Sequence, residues 1–133
     1  MKEVLFICEG NIGRSQMAEG FYKHIKGKDT ASSAGITDVG AKYNYKPRED
    51  IVLAMKEKGI DISDQTVKQM TEQMLDDAQE VVVLCDPKLF PPTNKTEVIF
   101  REVLDPFESS MDGVRGVRDT IERVVSELID AGK

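Results

Sequence analysis

Val4-Leu5-Phe6-Ile7-Cys8-Glu9-Gly10-Asn11-Ile12-Gly13-Arg14-Ser15 decides how the rest of the chain is read. Val4 to Ile7 is an unbroken apolar run and reads as a buried strand. From Ser15 to Lys26 the residues Met17, Ala18, Phe21, Tyr22 and Ile25 recur on one helical face, and Gly27 ends the helix. A thiol thus stands where a strand stops and a helix starts, with five residues between it and an arginine. Helix N-termini carry unpaired N–H groups and the positive end of the dipole, so they bind oxyanions. Gly10 and Gly13 are expected to let the loop Glu9, Gly10, Asn11, Ile12, Gly13, Arg14, Ser15 curl with its N–H groups inward. Arg14 adds a planar grip suited to phosphate-like oxygens. The same positive field favours the thiolate of Cys8. Nucleophile and anion site are then one object.

Outward from this stretch, the composition sets limits. The chain has 133 residues, enough for one domain spanning 1–133 and too few for two. Hydrophobic residues at 40% and charged residues at 32% describe a soluble globular protein. No apolar run is long enough to span a membrane, and no signal-peptide pattern precedes Cys8, so the expected location is cytoplasmic. A net charge of −6 argues against nucleic-acid binding, which draws on a basic surface. Two cysteines make neither a disulfide framework nor a zinc site by spacing. The single histidine, His24, is expected at a solvated helix position, so Cys–His and Ser–His–Asp mechanisms would depend on this one poorly placed residue. No metal or organic cofactor is implied.

The remaining pattern alternates strands with helices. Asp29–Ala34 reads as a polar strand near an edge, and Gly35–Lys46 as a loop. Pro47 suits the first turn of a helix that stops at Gly59, and Thr71 caps a short helix through Leu75. Glu80–Leu84 and Glu97–Phe100 read as strands, and Met111–Ala131 as a long amphipathic helix with Val114, Val117, Ile121, Val124, Val125, Leu128 and Ile129 inward. Such alternation implies an α/β domain, a central parallel sheet of about four strands with helices on both faces. Ligands bind such sheets beyond the carboxyl ends of the strands. Cys8, Cys85 and Asp105 all follow strands at that edge. Asp105-Pro106 is by itself a common turn start, and an acid near the site could protonate a leaving oxygen. Cys85 by itself reads equally well as a buried thiol acting as a small hydrophobe.

Cys8-x-Gly10-Asn11-x-x-Arg14-Ser15, followed by Asp105-Pro106 in the last third, resembles the low-molecular-weight protein tyrosine phosphatases and their arsenate reductase relatives. The resemblance implies Cys8 as nucleophile, Arg14 and the loop amides as oxyanion site, and Asp105 as general acid and base. It gives Asn11 and Ser15 the task of shaping the loop and stabilising the thiolate. Phe107 stands where many phosphatases carry a substrate-flanking tyrosine, and Tyr43 and Tyr45 lie in a loop that also looks phosphatase-like. Gln16 and Gln65 lean towards the reductases, because the phosphatases usually have proline at the position of Gln16. In the reductases a cysteine near Cys85 attacks the first cysteine and leaves a disulfide for a thioredoxin-like partner; the usual third cysteine has no counterpart here.

The leading expectation is therefore a cysteine-dependent phosphatase that hydrolyses phosphotyrosine-like monoesters through a phosphocysteine intermediate. The alternative is arsenate reduction by Cys8 and the candidate redox residue Cys85, with thioredoxin or glutaredoxin as partner. A third reading is a phosphate- or phosphopeptide-binding module that has lost turnover. The expected ligand is a phosphate or arsenate oxyanion.

Overall fold

Four parallel strands and four helices carry the architecture of this computed structural model, which describes residues 2–95, 97–106 and 110–132. The strands are β1 (Lys2–Cys8), β2 (Ala31–Gly35), β3 (Ala78–Val83) and β4 (Val98–Phe100). The helices are α1 (Arg14–Lys26), α2 (Glu49–Lys56), α3 (Glu72–Asp77) and α4 (Met111–Ala131). The sheet order is β2-β1-β3-β4, and every pairing is parallel. The unbroken apolar run of β1 suits a strand covered on both faces, and β1 indeed lies inside the sheet. β2, Ala-Ser-Ser-Ala-Gly, is the polar edge its sequence implied. The strand order reverses direction between β1 and β3, so a crevice opens beyond their carboxyl ends.

The two faces of the sheet are covered unequally. On one, Phe6, Val82 and Leu84 pack with Met17 and Phe21 of α1, Ile51 and Met55 of α2, and Ile121 and Val125 of α4. On the other, Leu5, Ile7, Val81 and Val83 meet Leu75 of α3. Fully burying one side chain such as Phe6 contributes about 1.5–3 kcal/mol, so these clusters hold the strand ends firmly in place.

The helix boundaries have local causes. Thr71 Oγ1 accepts from Met74 N (3.2 Å) and Ser110 Oγ from Gly113 N (3.2 Å), capping α3 and α4. In α4 the valines and Ile121 named from the sequence are buried, while Leu128 and Ile129 pack at the margin. Arg118 shares that inward face; its Nη1 donates to Ala54 O (3.0 Å) and satisfies a carbonyl left open at the end of α2.

Several expectations need correcting. Ile25 is exposed, because the last turn of α1, His24-Ile25-Lys26, is in solvent at every residue. The expected loop Gly35–Lys46 contains a 3-10 turn, Gly40–Tyr43. Arg48 rather than Pro47 leads into α2. The first half of α1, Arg14–Tyr22, is buried all round rather than on one face, and segment 60–68 contributes Ile60, Ile62 and Val67 to the same interior.

Candidate active site

β1 delivers Cys8 to the crevice, and the loop after it wraps back over the sulfur. Asn11 N donates to Cys8 Sγ (3.2 Å), and Ser15 Oγ lies 2.9 Å from the same sulfur. Asn11 Nδ2 donates to Ser15 Oγ (2.7 Å), so that oxygen's own proton is left for the sulfur. The loop carbonyls of Cys8, Glu9 and Ile12 accept from Ile36 N (3.0 Å), Thr37 N (2.8 Å) and Arg48 N (3.1 Å). Gly13 precedes α1 and has no side chain to cap it, so the amides of the first turn remain for an oxyanion.

The loop turns for a different reason from the one expected. Neither Gly10 nor Gly13 has a positive φ; the left-handed residue is Asn11, at φ 59°. Asparagine tolerates that region because its short amide can bond locally, and here the amide binds Ser15. The glycine that matters most for the loop is Gly35, on β2. A Cβ there would lie 2.8 Å from Gly10 C and 3.0 Å from both Asn11 N and Glu9 O.

Arg14 is aimed by the segment that follows β4. Its Nη1 donates to Val103 O (2.9 Å), and Val103 N in turn donates to Leu84 O (2.8 Å) just beyond β3. Its Nη2 is 3.7 Å from Asp105 Oδ2. The guanidinium is buried, whereas Asp105 is half exposed at the mouth. Cys8, Glu9, Gly10, Ile12, Gly13, Arg14 and Asp105 all line one cavity of about 190 Å³.

Tyr43 is in the wall of that cavity. Tyr45 is not among its described lining residues; its ring lies against Gly40, and its carbonyl accepts from Val67 N (2.9 Å). Phe107 falls outside the described residues. The wall also includes Thr37, Val39, Lys42 and Arg48, which no motif singled out, and Pro106 of the Asp105-Pro106 pair. A more open cleft of about 540 Å³ lies behind the loop, along α1 and segment 59–68, with Glu19, Lys23 and His24 on its walls and no cysteine.

Cys85 is buried two residues beyond β3 and belongs to one apolar cluster with Cys8, Ile7 and Val83. Burial, and next the charge of Cys8, push its thiol up to about 11. The two cysteines are not joined in a disulfide. Among the described residues no group of histidine, cysteine and carboxylate side chains could hold a metal ion, and no helix is long and apolar enough to cross a membrane.

Comparison with known proteins places this geometry. Residues 3–132 match the family described as low molecular weight phosphotyrosine protein phosphatase. A glutaredoxin arsenate reductase of Synechocystis sp. is 35% identical over 133 residues, covering 97% of each chain. A solved arsenate reductase in the phosphate binding state is 32% identical with a TM-score of 0.83, covering 98% of each chain. A low molecular weight protein tyrosine phosphatase from T. tengcongensis is 26% identical with a TM-score of 0.84, covering 98% of this chain and 99% of its own.

Proposed function

This chain belongs to the low molecular weight phosphotyrosine protein phosphatase family, and from that premise we propose that it is a thiol-dependent arsenate reductase. The observation that carries the reading is the pairing of β1 with β3, which sets Cys8 and Cys85 in one buried cluster. The similarity to proteins named as arsenate reductases, at 35% and 32% identity, supports it. It also reverses the order of the two enzymatic readings that the sequence suggested.

In this reading Arg14 and the loop amides hold arsenate against Cys8. The Cys8 thiolate attacks arsenic, one arsenic–oxygen bond breaks, and the oxygen leaves as water after taking a proton. A Cys8 sulfur–arsenic(V) bond remains, and the sulfur no longer carries charge. That charge is the second cause holding the Cys85 thiol up, so adduct formation eases its ionisation. Cys85 then gives up its proton and attacks Cys8 Sγ. The sulfur–arsenic bond breaks, its electron pair goes to arsenic, and arsenite leaves. Two thiols have lost two electrons to form a disulfide, which an external dithiol of the thioredoxin or glutaredoxin class reduces. A disulfide needs Cα atoms within about 7 Å, and neighbouring strands stand about 4.8 Å apart.

Phosphate ester hydrolysis is the second reading, favoured by one arrangement. Asp105 sits at the cavity mouth 3.7 Å from Arg14, where an acid could protonate a leaving oxygen, and Tyr43 provides an aromatic wall.

The test is a paired assay of purified protein: arsenate reduction with thioredoxin or glutaredoxin supplied, and p-nitrophenyl phosphate hydrolysis. Multiple arsenate turnovers are expected in the wild type. Cys85→Ser should halt them while leaving ester hydrolysis nearly intact, because Cys85 has no step in the hydrolytic cycle. Brisk ester hydrolysis with no arsenate turnover in the wild type would overturn the reading.

A further inference from the structure

Gln16 is wholly buried behind the loop, although it touches neither the cavity nor an oxyanion position. Its Nε2 donates to Asn11 O (2.9 Å), Asn11 Oδ1 (3.1 Å) and Thr66 O (3.0 Å). Gln65 Nε2 donates to Gln16 Oε1 (2.8 Å) and to Gln16 O (3.0 Å). Farther out, Lys23 Nζ approaches Gln65 Oε1 at 3.5 Å from the open cleft. In the sequence Gln16 and Gln65 are 49 positions apart, and nothing in the oxyanion chemistry uses either.

The direction of these bonds is their main feature. Each amide accepts on its oxygen and donates from its nitrogen in the same sense. Gln65 N–H meets Gln16 C=O, Gln16 N–H meets Asn11 C=O, Asn11 N–H meets Ser15 Oγ, and Ser15 is 2.9 Å from the Cys8 sulfur. At the far end stands the ion pair of Lys23 with Glu19 (2.9 Å). Hydrogen bonds aligned head to tail polarise one another, and donors aimed at a sulfur favour its thiolate. An amide flipped end for end would present an acceptor to an acceptor, so each link also keys the orientation of the next. Lys68 N reinforces the key by donating to Asn11 Oδ1 (3.0 Å).

We propose that Gln16 and Gln65 form a polarised amide relay that positions Asn11 and Ser15 and thereby sets the reactivity of the Cys8 thiol. They are positioning residues, acting through Asn11 and not on the substrate. The relay runs from the rear cleft to the nucleophile across the buried first turn of α1. It concerns the nucleophile alone, and so it holds for arsenate and for phosphate esters alike. Its failure and that of the reductase reading are separable.

The experiment measures the pH dependence of Cys8 alkylation by iodoacetamide in a Cys85→Ser background, where only one thiol reacts. Gln16→Met and Gln65→Met keep the side-chain length and remove the amide. Each should lower the alkylation rate at pH 7 about two- to tenfold, the value of one hydrogen bond, and shift the pH midpoint upward. Because Gln65 acts only through Gln16, the double variant should match Gln16→Met rather than multiply the two losses. Gln65→Met is the safeguard, since Gln65 is only partly buried and its loss should leave the melting temperature close to that of the parent. A midpoint unchanged in Gln65→Met would overturn the relay, as would independent, multiplying losses in the double variant.

Discussion

Cys8 ends β1, and Cys85 lies two residues past the end of the neighbouring parallel strand β3, a stagger of one residue. Ile7 pairs with Val83, Leu84 N donates to Ile7 O (2.8 Å), and Cys85 follows on the face already taken by Val81 and Val83. Cys85 therefore points into an apolar cluster, while Cys8 opens the loop that leads into α1. One thiol stays protonated and buried beside another that lies against donors. Four expectations follow from this site.

Cys8→Ser should abolish turnover of arsenate and of p-nitrophenyl phosphate alike. A serine hydroxyl keeps the contacts with Asn11 N and Ser15 but is a far poorer nucleophile at neutral pH. Phosphate affinity, measured by calorimetry, should stay within a few-fold of the wild type. Retained turnover would remove the covalent step.

Arg14→Lys should weaken phosphate binding and slow turnover together, each by about 10- to 100-fold, the range for losing a hydrogen bond to a charged group. An ammonium cannot bind Val103 O and present a planar fork to the anion at the same time. The inhibition constant for phosphate is the measurement. An unaltered constant would take Arg14 out of the anion site.

Asp105→Asn bears on the second reading. Among aryl phosphates, esters with poor leaving groups should slow by about 10²–10⁴-fold, the usual scale of general acid help, and esters with good leaving groups much less. Equal losses across the series would make Asp105 a partner of Arg14 and nothing more.

Alkaline unfolding should report on Cys85. Its thiol is raised from the ordinary 9.0 to about 11, first by burial and then by Cys8. Above pH 9 the unfolded chain gives up this proton and the folded chain keeps it. The resulting stabilisation is complete below about pH 9 and drains away as pH climbs to about 11. In denaturant titrations across that window, Cys85→Ser should lose less stability than the wild type. Parallel losses would mean that Cys85 ionises as freely in the folded protein as in the unfolded one.

Local pattern was enough to read a good deal of this molecule. The run Val4–Ile7 marked an inner strand because only a strand covered on both faces can hide consecutive apolar residues. Thr71 marked a helix start because its hydroxyl can replace a missing backbone partner. The cysteine, the arginine and the loop between them sit in one short segment, so their grouping was legible without knowledge of any long-range contact. Ile25 misled because periodicity reports which face a residue occupies and not where along the helix the sheet stops covering it.

By itself, the sequence determined the α/β class and singled out the Cys8–Ser15 loop at the end of β1, with Cys8 and Arg14 as its candidates; these follow from neighbours a few positions away, whereas Asp105 and Cys85 became candidates through the family resemblance. Only the tertiary structure decided that β1 lies beside β3, so that the two thiols share a cluster. It alone decided that Val103 aims Arg14, that Asn11 rather than a glycine takes the left-handed turn, and that Gln65 reaches Gln16. The physical reason is that hydrogen bonds and burial act through space, between groups as far apart in the chain as Arg14 and Val103, and no local period or motif encodes which distant partner the sheet order will deliver.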